Sequence, residues 1–182
     1  MLRHEARRAY AWLETNVADI SQQQATWRPP GTANSIAATY AHTVISADVD
    51  LNRHFHSREP VIDGAWTARL GLTESFPDDW PEDLDIDWEA LHQYGREVQT
   101  CVEGLFDSVT MADLGRRFEM RALVTKTAGK PPELVSLGTW KGIDLYTLHG
   151  GGGHIYMHGG EIACLKGLQG GQGYRNFRYR YP

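Results

Sequence analysis

Four segments of this chain repeat apolar residues at helical spacing, and stretches rich in proline and glycine separate them. In the first segment Leu13, Val17 and Ile20 follow one another at spacings of four and three residues, the pattern of one helix face. We expect helices at about residues 2–20, 34–55 and 88–108, and a fourth that begins between Ser136 and Ile143 and ends near Gly167. This pattern predicts a mostly α-helical protein built as a four-helix bundle.

The stretches between the predicted helices carry other patterns. Asn34 or Ser35 is the expected N-cap of the second helix. Residues 56–87 are rich in proline, glycine, aspartate and tryptophan, which is typical of a long connection with short helical turns. RRFEMRALVT and ELVSLGTW have strand-like composition and are split by AGKPP, so we expect a small β-hairpin between about residues 117 and 140. The tail YRNFRYRYP alternates arginine with aromatic residues, which favours an edge strand over an anion-binding site.

Composition limits the classes of protein that the chain can represent. Its 182 residues are most simply one domain, residues 1–182, with a sizeable core. The net charge of −5 argues against a general nucleic-acid binder, which must neutralise phosphates. No apolar run approaches the length of a membrane span, and the charged beginning MLRHEARRAYAWLE is unlike a secretory signal. The two cysteines are too few for a disulfide framework, so we expect a cytoplasmic protein.

The histidine pair His154 and His158 is the feature most typical of a chemical site. Four residues are just over one helical turn, so both imidazoles project from one face and can occupy neighbouring positions around one metal ion. Glu161 continues the same stripe, and a third ligand has to come from another helix. The best candidate is His42, which shares a predicted helix face with the apolar Ala38 and is expected to point inward. Such a pair is also common on a solvated helix face, and a lone histidine on an apolar face is usually a core residue.

The stripe through the histidine pair ends in apolar residues, Ile143 on one side and Leu168 on the other. A polar centre between apolar ends favours a face turned towards a core that contains a polar site. Glycines 150–153 interrupt this stripe, and each glycine inside a helix costs about 1 kcal/mol relative to alanine. Either the helix begins at these glycines, or they allow a neighbouring helix or a ligand to approach closely.

Two other motifs offer weaker sites. His54 and His56 form an alternative metal pair, but their position at a helix end beside Arg53 and Arg58 is more typical of surface residues. LYTLHGGGG resembles the oxyanion loop of lipases and esterases. Those enzymes need a GxSxG nucleophile motif, which the sequence does not contain, so we exclude this class.

Two segments together resemble the DinB-like (DinB/YfiT) metalloenzyme superfamily. TWRPPGTANSIAATYAHTV is similar to the part of that family in which a turn leads into a small-residue helix start and then a ligand histidine. HIYMHGGEIACLKGLQG is similar to the pattern of the family's final helix. The resemblance implies a four-helix bundle with a three-histidine metal site, and by position it implies His42, His154 and His158 as ligands. The glycine run and the β-rich character of residues 117–140 depart from the family pattern.

The resemblance also implies a function. Three imidazoles suit a divalent metal, Zn, Ni or Fe, and leave a coordination position open, as in catalytic sites. Glu161 is then a catalytic candidate, either as a general base or by orienting a histidine, and its alternative is a surface salt bridge. Characterised relatives include transferases and isomerases that use mycothiol or bacillithiol. The expected function is therefore a metal-dependent enzyme, either a thiol-dependent transferase or isomerase or a metal-assisted hydrolase.

Two other functional interpretations remain open at this point. One is a non-catalytic metal-binding stress-response protein, and the other is a structural bundle with incidental histidines. The expected partners of the enzyme are a small-molecule substrate and a second copy of the chain in a homodimer. Low-molecular-weight thiols are one class of substrate that the resemblance implies. No nucleic acid and no membrane are expected as partners.

Overall fold

Four long helices dominate the part of the chain that the structure, a computed structural model, describes: residues 2–72, 85–124, 133–150 and 152–173. In chain order the helices are α1 (Leu2–Val17), α2 (Gln22–Thr26), α3 (Ile36–Asp48), α4 (Trp66–Arg69), α5 (Trp88–Leu105), α6 (Met111–Gly115), α7 (Gly142–Leu145) and α8 (Gly153–Leu168). Each of α1 and α3 packs against both α5 and α8, so the four long helices α1, α3, α5 and α8 form a bundle. The predicted mostly helical four-helix architecture is confirmed.

Local sequence signals account for the beginnings of the helices. Ser35, rather than Asn34, caps α3, because its side chain accepts a hydrogen bond from the backbone N–H of Ala38 at 3.2 Å. Asp87 caps α5 in the same way. Ser21 caps α2 through a capping box with Gln24, so the segment expected only to end the first helix contains a short helix of its own.

Helix α3 forms the centre of the bundle. Twelve of its thirteen residues are buried, and His42 is the exception, with intermediate exposure. The helix continues as a π-helical segment, residues Val49–Phe55, and a single 3₁₀ turn, Val61–Asp63, follows before α4. The short helical turns expected in the long connection are therefore present in its described part, and residues 73–84 of that connection lie outside the described residues.

The small β element is the predicted hairpin. Strand β1 (Arg117–Val124) pairs antiparallel with β2 (Glu133–Lys141), and Phe118 lies opposite Trp140. These two aromatic residues share one face of the hairpin, and both pack against the hydrophobic core. The predicted edge strand of the C-terminal tail falls on residues 174–182, which lie outside the described residues.

The last predicted helix is interrupted. Strand β2 is followed directly by α7, then by a π-helical turn, residues Tyr146–Gly150, and α8 begins only at Gly153. Gly152 has φ +98°, a conformation that glycine adopts without strain, and it ends the helical path before α8. The two ends of the predicted apolar stripe do not turn inward: Ile143, on the separate helix α7, is 36% exposed, and Leu168, at the C-terminal end of α8, is 63% exposed.

Both explanations proposed for the glycine run apply to its described residues. Helix α8 begins at the last glycine of the run. A Cβ atom on Gly152 would lie 2.4 Å from the Cβ of Ala9, so this glycine also lets α1 approach closely. Among the described residues, no helix combines the length and the apolar character needed to cross a membrane.

A matched pair of glycines tests the packing of α8 on α1. A Cβ on Gly159 would lie 2.0 Å from Cζ3 of the Trp12 side chain, whereas a Cβ on Gly160 would meet no atom within 4 Å. We expect Gly159→Ala to lower the free energy of unfolding by about 1–3 kcal/mol, because the buried Trp12 ring has to move. Gly160→Ala should raise it by up to about 1 kcal/mol through helix propensity alone. Chemical denaturation of both variants measures the difference, and equal effects would contradict this packing.

Candidate metal centre

Three imidazoles meet where α3 and α8 pack side by side. His42 comes from α3, and His154 and His158 come from successive turns of α8. The ring centroid of His42 lies 5.1 Å from that of His154 and 4.9 Å from that of His158. The ring centroids of His154 and His158 lie 4.4 Å apart. Each ring offers one nitrogen such that all three nitrogens lie within 4.8 Å of one another. The three histidines singled out from the sequence therefore form one cluster.

The arrangement of the nitrogen atoms suits a shared cation. The Nε2 atoms of His154 and His158 are 3.0 Å apart. Two imidazole nitrogens at this distance either share a proton or direct both lone pairs at one cation. In addition, Nδ1 of His154 is buried and has no hydrogen-bond partner among the described residues. Neutral imidazoles are good ligands for zinc, nickel and iron, so the chemistry of these donors fits a divalent transition metal.

Burial keeps two of the three histidines in the form that binds metal. The pKa of His42 is lowered from 6.5 to about 4, mainly by burial and to a smaller extent by the nearby His158 and His149. The pKa of His154 is lowered to about 2, mainly by burial and to a smaller extent by the neighbouring imidazoles of His149, His158 and His42. At neutral pH both rings are therefore uncharged, and each has a nitrogen lone pair.

Glu161 fixes the orientation of His158. Its Oε2 atom lies 2.7 Å from Nδ1 of His158, one helical turn earlier on α8. When the Nδ1–H group of His158 donates a hydrogen bond to this carboxylate, Nε2 carries the lone pair and faces His154. The Glu161 side chain is 56% exposed, so it contacts both the histidine cluster and solvent.

A second carboxylate–imidazole pair lies against the cluster. His149 is buried, its Nε2 atom lies 2.8 Å from Oδ2 of Asp50, and its ring centroid is 4.9 Å from that of His154. Neither His149 nor Asp50 is among the site residues predicted from the sequence. Both residues lie in π-helical segments, which are frequent at functional sites but have no reliable sequence signature.

The alternative histidine pair does not form a common site. His54 is exposed and lies 3.9 Å from Asp50, whereas Nε2 of His56 is 2.6 Å from the hydroxyl oxygen of Tyr146. Within residues 2–72, 85–124, 133–150 and 152–173, the cluster of His42, His154 and His158 is the group of side chains arranged to hold a metal.

Comparison with known families supports the same architecture. The sequence model of the DinB superfamily matches residues 4–140, more than half of the chain. The matched region contains α1, α3, α5 and the first metal-ligand candidate, His42, and it ends before His154 and His158. A comparison with curated proteins gives no match.

Proposed function

We propose that this chain, which belongs to the DinB superfamily, is a metal-dependent enzyme that acts on a small molecule. The observation that supports the proposal most strongly is the convergence of three imidazoles from two helices, with two Nε2 atoms 3.0 Å apart. His42, His154 and His158 would hold one divalent ion, Zn, Ni or Fe. When bound, such an ion supplies a Lewis acid with at least one coordination position that the protein does not fill.

Glu161 is the proposed catalytic residue of this chain. Its carboxylate is hydrogen-bonded to His158 and is also accessible to a molecule that approaches from solvent. A carboxylate in this position can accept a proton from a nucleophile, either a low-molecular-weight thiol or a water molecule. The first nucleophile corresponds to a thiol-dependent transferase or isomerase, and the second corresponds to a hydrolase. As a general base, Glu161 would remove the proton in both reactions; its other role would be to orient His158.

We expect Glu161→Gln to retain most of the metal and to lower turnover. A loss of about 10- to 100-fold would indicate that Glu161 acts by orienting His158. A loss of about 100- to 10,000-fold would indicate a general base. The measurements are metal content by elemental analysis and turnover with p-nitrophenyl esters for hydrolysis, or with a small thiol and an aryl halide for transfer. Glu89→Gln is the matched control, because Glu89 lies on α5 and its side chain is 83% exposed.

The other outcomes of this experiment are equally informative. Complete loss of metal in Glu161→Gln would make the carboxylate a direct ligand. Unchanged turnover would reduce Glu161 to a surface residue. A metal-loaded wild-type protein without activity in either assay would favour the non-catalytic metal-binding stress-response protein.

We also propose that the protein is a homodimer. Two large apolar side chains on α8, Tyr156 and Met157, are 38% and 55% exposed, and exposed apolar surface often marks contacts between subunits. Light scattering at micromolar concentration tests this proposal, and a monomeric mass would contradict it.

A further inference from the structure

A groove lies between α8 and the loop that precedes α3. Its volume is about 550 Å³, which is sufficient for a small organic molecule. Pro29, Pro30 and Ala33 form one wall, and Leu165 and Leu168 of α8 form the other. We call this space the α8 groove.

The α8 groove leads to the candidate metal centre. Thr39 lines the groove and lies one turn before His42 on α3. Glu161 also lines the groove, and its carboxylate is hydrogen-bonded to His158. A molecule in the groove therefore has one end beside Glu161 and the histidine cluster, and its other end extends along α8 towards Leu168.

The lining determines which molecules fit. Most of the lining surface is apolar, and among the lining residues that the structure describes Glu161 is the one charged side chain. An anionic substrate would meet a carboxylate and no cation in this lining, and the transfer of an unpaired charge from water to such a surface is unfavourable. An uncharged, apolar group gains free energy from leaving water at the same place.

We propose that the α8 groove binds the uncharged, apolar part of the substrate and presents the reactive part to Glu161 and the imidazoles. The assignment of a reactive end rests on the function proposed above. The preference of the groove for apolar, uncharged molecules is a separate property, and it can be measured without metal and without turnover.

Cys164 makes this preference measurable. Its thiol is exposed and lines the groove between Glu161 and Leu168. The probes are N-methyl-, N-butyl- and N-hexylmaleimide, together with 6-maleimidohexanoate, whose chain ends in a carboxylate. Each probe adds the Cys164 sulfur to one carbon of its double bond, and the proton goes to the other carbon. The reaction rate at Cys164 is followed by mass spectrometry of the metal-free protein, and Cys101, which lines a different pocket, is the internal control.

We expect the rate at Cys164 to rise at least about tenfold from the methyl to the hexyl probe, because each methylene that becomes buried favours binding by about fourfold. The carboxylate-tailed probe should react more slowly than the hexyl probe. The rate at Cys101 should not follow the length of the chain. Equal rates for all alkyl probes at Cys164, or equal rates for the hexyl and carboxylate probes, would overturn the proposal.

Two variants locate the effect. Leu168→Ser removes an apolar side chain from the groove, and it should abolish most of the dependence on chain length. Met111→Ser is the control, because Met111 is an exposed apolar side chain on α6 that does not line the groove. An effect that survives Leu168→Ser would overturn the assignment. The chain-length dependence is measured on the metal-free protein, so a wild-type protein that binds no metal would refute the proposed function without affecting this result.

Discussion

Replacement of His42 by alanine will remove the divalent metal from the protein as completely as replacement of His154 or His158. The wild-type protein should bind roughly one ion per chain, because the three imidazoles form one cluster. Each variant leaves two imidazoles, and two ligands hold a divalent ion far more weakly than three. Elemental analysis of the purified proteins after dialysis against trace metal measures the occupancy directly.

The control for this experiment is His54→Ala. His54 is exposed and is not part of the three-histidine cluster, so this variant should keep full occupancy. Full occupancy in His42→Ala would show that the third ligand is wrong. His149→Ala is then the next variant to test, because the His149 ring lies 4.9 Å from that of His154.

Asp48→Ala will produce the largest loss of stability that we expect from a single substitution outside the histidine cluster. The Asp48 side chain is completely buried and accepts four hydrogen bonds: from the side chain of Asn52 at 2.8 Å, from the backbone N–H groups of Val61 at 3.0 Å and Ile62 at 2.9 Å, and from the hydroxyl of Tyr94 at 2.8 Å. Through these bonds it ties α3 to α5 and to the connection that follows the π-helical segment.

Alanine at position 48 would remove the acceptor from all four donors, of which three are buried and one, the N–H of Val61, is part-buried. We expect the free energy of unfolding to fall by about 3–5 kcal/mol, the usual cost of breaking a buried polar network. This is a large part of the roughly 5–15 kcal/mol that stabilises a typical domain. Urea denaturation followed by circular dichroism provides the measurement, provided that the transition is two-state.

Asp107→Ala is the matched control for Asp48→Ala. Asp107 pairs with Arg3 at 2.5 Å, but its side chain is 62% exposed, so water replaces the lost interaction. We expect a loss of about 1 kcal/mol or less for this surface pair. If the two aspartate variants lost similar amounts, the Asp48 network would not stabilise the bundle as described.

Local sequence patterns were sufficient to predict the features that depend on residues close together in the chain. Apolar spacing located three of the long helices and the end of the fourth, whose start at Gly153 lies later than predicted. Asn34 or Ser35 marked the start of α3 to within one residue, and the strand-like segments located the hairpin. The proximity of His154 and His158 also followed from the sequence alone. All of these depend on hydrogen bonds and side-chain contacts within a few residues, and such contacts are similar in any protein with the same local pattern.

Only the tertiary structure decided which side chains from different segments meet. His42 lies beside His158 because α3 and α8 pack together, whereas its position on an apolar face alone was more typical of an ordinary core residue. The pairing of Asp50 with His149 depends on two π-helical segments. The break before α8 lies at Gly152, where α1 approaches closely. The physical reason is that these contacts join residues far apart in the chain, so their formation depends on how the whole bundle packs rather than on any local pattern.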